Sequence, residues 1–162
     1  MHGGVPRFTT IHETDALTRR SRVTICSLIF LGCMTMVSLG NILAVAIGGM
    51  VGSVLRWLMA VWLNPILSGL PLGTLAVNVI GGFGIGFALA AFLANPSTPI
   101  ELRLLVTAGF FGGFTTFSAF SSEVVMLMST GRMEWAVMTV AANVLGALVM
   151  TYLGMKVFQL IA

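Results

Sequence analysis

Long apolar stretches separated by short polar turns dominate the chain from Val23 onward. The first stretch, residues 23–63, is twice as long as one bilayer crossing, which takes about 20 residues, and Asn64-Pro65 ends it. Three further stretches follow at residues 72–94, 104–128 and 135–158. The pattern predicts an all-α membrane protein with four spanning helices, the first of them at residues 42–63.

The composition also indicates a membrane protein. The chain has 162 residues, of which 57% are hydrophobic and only 8% are charged. A soluble domain carries about a quarter charged residues, and so few charges could not cover a surface that faces water. The membrane lipid is therefore the expected surroundings of this protein.

The N-terminal part differs from the rest and divides into two segments. Residues 1–22 are polar and basic and are expected to form a disordered arm that carries a topology signal, not a nucleic-acid site. Residues 23–40 are a hydrophobic extension with three interpretations. They can be an extra helix over residues 23–39 or part of a signal-like segment over residues 16–40. Alternatively, translation starts at Met34 or Met36.

Candidates for catalysis or for metal binding by side chains are few. Cys26 and Cys33 lie in an apolar segment without nearby histidine or acid, so neither a disulfide nor a metal role is expected. Both histidines, His2 and His12, lie in the polar arm. No pair of nucleophile and base can be assembled, so the protein is not expected to be an enzyme.

Positive charge gives the four helices little preference for one orientation. Arg103 and Lys156 would lie on one side of the membrane and Arg132 on the other. This near-symmetry is expected of a protein that inserts in both orientations and pairs antiparallel. It is equally expected of a small protein that has few charges.

The third apolar stretch contains the most informative segment, residues 109–123. Three glycines within five residues are followed by hydroxyl and aromatic side chains, and glycine costs about 1 kcal/mol relative to alanine inside a helix. Such glycines can mark a helix break, whose freed carbonyls can coordinate a cation. They can also serve close packing between helices, and the spacing leaves both interpretations open.

Polar residues within the other helices need partners at membrane depth. Asn78 lies in the second helix, where an unsatisfied amide would cost several kcal/mol, so it must face another helix or a wet cavity. Arg56 in the first helix is expected to extend to the membrane surface. In the fourth helix Thr139, Asn143 and Thr151 share one face, which Ala147 interrupts.

Three motifs together resemble the CrcB or Fluc family of fluoride channels over about residues 41–160. They are Gly-Gly-x-x-Gly-x-x-x-Arg ending at Arg56, Gly-Thr-x-x-Val-Asn-x-x-Gly around Asn78, and Gly-Gly-Phe-Thr-Thr-Phe-Ser-x-Phe ending at Phe120. The resemblance defines a channel domain at residues 41–162. Since it begins only near Asn41, it favours the later translation start and says nothing of residues 1–40.

The resemblance implies a four-helix subunit with a broken third helix, which forms an antiparallel, dual-topology homodimer with two fluoride pores. It further implies one structural Na⁺ at the dimer centre, bound by the backbone carbonyls of Gly112 and Thr115 from each subunit. The implied fluoride pore consists of the following residues: Asn78, Phe117, Phe120, Ser118, Asn143 and Thr151. Arg56 and Glu123 would have vestibule or structural roles.

The residue types in this implied pore suit a small, strongly hydrated anion. Amide and hydroxyl groups can donate hydrogen bonds to fluoride, and the positive edge of a phenyl ring can meet an anion. The expected function is passive, fluoride-selective export that lowers the fluoride concentration in the cytoplasm. The expected location is the inner membrane of a bacterium. Binding must stay weak enough for release, which fits a pore without a charged ligand.

Two other functions compete with this expectation. A proton-coupled small multidrug exporter would need a membrane-embedded carboxylate, whereas Glu101, Glu123 and Glu134 all lie near predicted helix ends. A structural membrane subunit that transports nothing would leave the hydroxyl and phenylalanine pattern after Gly113 unexplained.

Overall fold

Four helical spans make up the part of the chain that the structure, a computed structural model, describes: residues 37–67 and 69–162. The spans are Leu39–Ile66, Leu72–Ala94, Ile100–Ser129 and Met133–Ile161, named span 1 to span 4. Each is long and apolar enough to cross a membrane, which confirms the predicted all-α membrane architecture. The arm at residues 1–22, and the extension as far as residue 36, lie outside the described residues.

A short turn joins span 1 to span 2. It contains a proline and is stabilised by a hydrogen bond to an asparagine side chain. The α-helix Leu39–Leu63 passes into a 3₁₀ turn, Asn64–Ile66. The Asn64 side chain then accepts a hydrogen bond from the Gly73 backbone N–H at 2.8 Å, which satisfies a free donor at the start of span 2. The side chain thus links the end of one span to the beginning of the next.

Span 3 is made of several helical pieces. A short α-helix, Ile100–Leu104, leads into a π-helix, Leu105–Phe111, and then into one α-turn, Gly112–Phe114. Thr115 and Thr116 have extended backbone dihedrals, with ψ of 162° and 121°. Helical structure resumes over Phe117–Ser129, so the hydrogen-bond ladder of span 3 is interrupted at the two threonines.

Glycines allow span 1 to pack against the first half of span 3. A Cβ atom on Gly48 would lie 2.8 Å from the backbone nitrogen of Phe110, and one on Gly52 would lie 2.8 Å from the backbone nitrogen of Phe114. Backbones this close leave no room for a side chain, which is how small residues serve helix packing in membranes. Residues 105–114 are therefore held directly against span 1.

Span 2 and span 4 pack in the same manner. A Cβ atom on Gly82 would lie 2.8 Å from the Ala147 carbonyl oxygen, and one on Gly154 would lie 2.9 Å from the Phe87 backbone nitrogen. The described spans therefore form two closely packed helix pairs, spans 1 and 3 and spans 2 and 4.

Arg103 organises the turn between span 2 and span 3. Its Nη2 donates to the carbonyl oxygens of Phe92, Asn95 and Pro96, and its Nε donates to the carbonyl oxygen of Thr98. Carbonyls at a helix C-terminus lack helical partners, and a cation is favourable there. Arg103 thus caps span 2 in addition to contributing charge at the membrane surface.

The buried apolar core is thin, and large apolar side chains cover the outside. Among the described residues the buried hydrophobic side chains include Val77, Phe114 and Phe120, while Trp57, Leu93 and many others are exposed. A water-soluble monomer rarely exposes contiguous apolar surface on this scale. The surface is suited to lipid or to another membrane subunit.

Candidate functional site

The side chain of Asn78 bridges the interruption in span 3. Its Oδ1 accepts a hydrogen bond from the Thr116 backbone N–H at 2.9 Å, and its Nδ2 donates to the Thr116 carbonyl oxygen at 3.1 Å. An uninterrupted helix would have used the Gly112 carbonyl oxygen as the acceptor for Thr116. One amide of span 2 therefore supplies the acceptor that the Thr116 N–H has lost and adds a second bond to the Thr116 carbonyl oxygen.

A second asparagine joins this arrangement from span 4. Asn78 Nδ2 also donates to Asn143 Oδ1 at 2.9 Å, and Asn143 Nδ2 donates to the Thr139 carbonyl oxygen at 3.0 Å. Asn143 is 3% exposed and Thr139 is fully buried. The structure thus brings together Asn78 and Asn143, two of the predicted pore residues, in a hydrogen-bonded chain that ends at Thr116.

Arg56 contacts the same region from span 1. Its Nε donates to the Gly113 carbonyl oxygen at 3.0 Å, just before the interruption. The Arg56 Nε thus has an acceptor inside the protein, and the extension of Arg56 to the membrane surface stays a prediction. Side chains from spans 1, 2 and 4 therefore converge on the interruption in span 3.

Most of the predicted pore residues line one groove of about 380 Å³. This groove, named the central groove, is lined in part by the following residues: Asn78, Thr115, Thr116, Phe117, Phe120 and Asn143. Phe117 is 78% exposed, whereas Phe120 is 7% exposed, and the centroids of the two rings are 5.5 Å apart with the rings inclined at 62°. The described residues that line the groove present amide, hydroxyl and phenyl groups and no ionisable side chain.

Ser118 and Thr151 lie next to the central groove without lining it. The exposed Ser118 hydroxyl lies 3.3 Å from the hydroxyl of Thr116. The Thr151 hydroxyl donates to the Ala147 carbonyl oxygen of its own helix at 2.8 Å. In this arrangement Thr151 has its hydrogen engaged, while its oxygen remains an acceptor.

The two residues expected to bind Na⁺ present their backbone at the interruption. Gly112 is exposed, and a side chain on it would meet only the Thr107 carbonyl oxygen, at 3.6 Å. Thr116 N–H is directed to Asn78, so the Gly112 carbonyl oxygen is released from its helical role, and the extended Thr115 turns its own carbonyl out of the helix. Carbonyl oxygens freed in this way are suitable ligands for a hard cation.

Glu123 lies toward the C-terminal end of span 3. It is six residues from the end of span 3, about 9 Å along the helix, and Thr74 donates to its Oε1 at 2.6 Å. Glu123 lines a cavity of about 300 Å³ with Arg56, Thr74 and Thr116, named the inner cavity. It also lines a cavity of about 400 Å³ at the end of span 3, with Arg132. The polar surface around Glu123 therefore adjoins Thr116 on one side and the membrane surface on the other.

Thr74 and Thr116 belong to this site, although sequence reasoning did not select them as site residues. Thr74 holds Glu123, and Thr116 caps the Phe117–Ser129 helix by accepting a hydrogen bond from Ala119 N–H. Both residues lie within the motifs quoted above, so their hydroxyls at membrane depth were the available signal.

Comparison with known proteins covers the part of the chain that contains this site. The sequence model of the CrcB-like protein, Camphor Resistance (CrcB) family matches residues 43–155. The chain is 47% identical over 121 residues to the protein named Fluoride-specific ion channel FluC of Tolumonas auensis, covering 75% of this chain and 95% of that protein. It is 49% identical to the protein of the same name from Pseudomonas aeruginosa, over 71% of this chain and 91% of that one. The resemblance noted in the sequence is confirmed.

Proposed function

Because this chain belongs to the CrcB family, we propose that it conducts fluoride passively and selectively out of the cell. The chain is a multi-pass protein of the bacterial inner membrane, with four spans. Its relatives are named as ion channels, a class distinct from enzymes. Export in this way lowers cytoplasmic fluoride, since HF that enters from acidic surroundings dissociates inside and leaves as the anion.

The uncharged central groove is the observation that carries the proposal. The edges of Phe117 and Phe120 offer fluoride a weakly positive surface in a groove that Asn78 and Thr116 also line. A groove without a fixed charge binds an anion weakly enough to release it.

Arg56 and Glu123 fit a vestibule that leads toward this groove. Both line the inner cavity, which shares Thr116 with the central groove. The Arg56 guanidinium would attract an anion into the cavity, while Thr74 would hold the Glu123 carboxylate to one side. Asn143 lines the groove itself, and Ser118 and Thr151 belong to the proposed polar lining beside it.

The proposed assembly is an antiparallel, dual-topology homodimer with Na⁺ at its centre. The interruption at Thr115 and Thr116 would act as a broken helix whose freed carbonyls, with that of Gly112, bind the ion together with those of the second subunit. Bound Na⁺ supplies fixed positive potential to the pore. Support comes from the extensive exposed apolar surface and from the near-equal positive charge that residues 42–162 place at the two ends of the spans.

The comparisons do not favour the proton-coupled exporter, and Glu123 is the residue at which such coupling would be tested. A carboxylate inside a membrane span is the group that such a transporter titrates. Glu123 lies within span 3, partly buried beside Thr74. The two functions differ in their response to a pH gradient.

Fluoride efflux from liposomes containing the purified protein tests the proposal. Valinomycin carries the compensating K⁺, and chloride-loaded liposomes are the control. We expect rapid fluoride release without chloride release, and slower release from Phe117→Ile, which removes the aromatic edge. A folded preparation that releases no fluoride would contradict the proposal.

A further inference from the structure

The Asn78 amide has all its hydrogen atoms engaged within the subunit. One Nδ2 hydrogen is directed to the Thr116 carbonyl oxygen and the other to Asn143 Oδ1, while Asn78 Oδ1 accepts from Thr116 N–H. Rotating the amide by half a turn would place oxygen against the Thr116 carbonyl oxygen and NH₂ against its N–H. Only one orientation of Asn78 is therefore compatible with Thr116.

The orientation of Asn143 is fixed by its own helix. Its NH₂ group donates to the Thr139 carbonyl oxygen one turn earlier, in a fully buried position. This bond leaves the Asn143 oxygen directed at Asn78. Span 4 thus presents an acceptor of defined position to the amide that holds the interruption in span 3.

The consequence reaches the phenylalanines of the central groove. Thr116 is the N-cap of the Phe117–Ser129 helix, so its position determines where this helix begins and where the rings of Phe117 and Phe120 lie. An acceptor that orients Asn78 therefore also influences the rings, although it lies on another span. The chain of contacts runs from Thr139 through Asn143 and Asn78 to Thr116.

We propose that Asn143 is a positioning residue, which affects fluoride passage through the Asn78 amide and not by contacting the ion. The proposal rests on the proposed fluoride conduction. It assigns to Asn143 a role different from the pore lining expected from the sequence. Asn143 is 3% exposed, its oxygen faces Asn78 and would repel an anion, and one hydrogen of its NH₂ group is bonded to Thr139.

A double-mutant cycle on fluoride efflux tests this assignment, using Asn143→Leu, Asn78→Ala and the double variant. Loss of one interhelical hydrogen bond in a membrane corresponds to an effect of about three- to twentyfold. We expect Asn143→Leu to slow efflux by this factor in the otherwise unchanged protein and to have no further effect when Asn78 is already alanine. The same slowing in both backgrounds would overturn the proposal. Thr107→Val, which removes a remote hydroxyl bond to the Arg103 carbonyl oxygen, is the control and should leave efflux unchanged.

A second measurement decides the question even if Asn78→Ala is too slow to measure. The protein is labelled with ¹⁵N-asparagine, and side-chain NH₂ signals are followed by NMR as NaF replaces NaCl. The Asn143 signal is identified by its absence from Asn143→Leu. A positioning role predicts that it shifts less than the Asn78 signal, whereas an equal or larger shift means direct contact and overturns the proposal.

These results separate the two proposals. If the unmodified protein releases no fluoride and no signal responds to NaF, fluoride conduction itself is wrong, and the positioning role for fluoride passage falls with it. If fluoride passes but the cycle is additive, or the Asn143 signal responds as strongly as that of Asn78, only the positioning role is wrong.

Discussion

Replacing Asn78 with leucine tests whether a single amide holds the interruption in span 3. The substitution keeps a side chain of similar size but removes the hydrogen bonds to Thr116 N–H, to the Thr116 carbonyl oxygen and to Asn143 Oδ1. Thr116 and Asn143 are both buried, so water cannot easily replace the lost partner.

The expected loss of stability follows from the three bonds. Hydrogen bonds between membrane helices contribute about 0.6 kcal/mol on average and at most about 1.7 kcal/mol, so three give about 2–5 kcal/mol. The upper part of this range applies if Thr116 cannot find another partner, because an unsatisfied buried backbone group costs about 1–3 kcal/mol.

Equilibrium unfolding in mixed detergent micelles measures this quantity. Asn95→Ala is the matched control, because Asn95 Nδ2 donates to the Ala91 carbonyl oxygen at an exposed helix end. Its loss should cost at most about 0.5 kcal/mol, as is usual for exposed positions. If Asn78→Leu unfolds with a free energy within about 0.5 kcal/mol of the unmodified protein, the amide does not hold the interruption and the reasoning is refuted.

Three further predictions concern helix packing, the capping of a helix end and the contact of Arg56 with span 3. Gly52→Ala should strongly reduce the yield of monodisperse protein, because its Cβ would lie 2.8 Å from the Phe114 backbone nitrogen. Gly49→Ala should be tolerated, since its Cβ would have its nearest neighbour at 3.9 Å. Equal yields of the two variants would contradict the packing. Arg103→Lys keeps the charge, but lysine cannot reach four carbonyl groups at once. We expect the free energy of unfolding to fall by about 1–2 kcal/mol and the Tm to fall with it. An unchanged Tm would argue against capping. Arg56→Lys should slow fluoride efflux while preserving the charge, because Nε no longer donates to the glycine carbonyl before the interruption; an unchanged rate would mean that only the charge matters.

The helices could be predicted from the sequence because their ends are marked by strong local signals. Asn64-Pro65 ends the first α-helix as expected, and Asn95-Pro96 follows the end of span 2. The length of the apolar stretches and the cost of exposing backbone in lipid leave few alternatives to spanning helices. Only the bounds differ, by a few residues.

The glycines of span 3 could not be interpreted in the same way, because glycine serves more than one purpose. In the structure Gly109 and Gly113 face the backbone of span 1, while the extended residues are the following threonines. Nothing in the local spacing distinguishes these roles. They depend on where Asn78, 38 residues away from Thr116, places its amide.

Contacts between distant residues are the part of the site that the sequence leaves open. Asn78 and Asn143 are 65 residues apart, and Arg56 and Gly113 are 57 apart. The polar residues were recognisable, since each needs a partner at membrane depth. Which partner each one finds follows from the packing of the spans, which brings Arg56 to Gly113 and Glu123 to Thr74.

The reversal potential in a planar lipid bilayer tests passive fluoride conduction most directly. The unmodified protein is studied with a fluoride gradient across the membrane, first at equal pH and then with an imposed pH gradient. The account predicts a current that reverses at the equilibrium potential of fluoride, that is unaffected by the pH gradient, and that chloride does not carry. Transport that follows the pH gradient, or fluoride movement without current, would contradict it and would indicate proton coupling through Glu123.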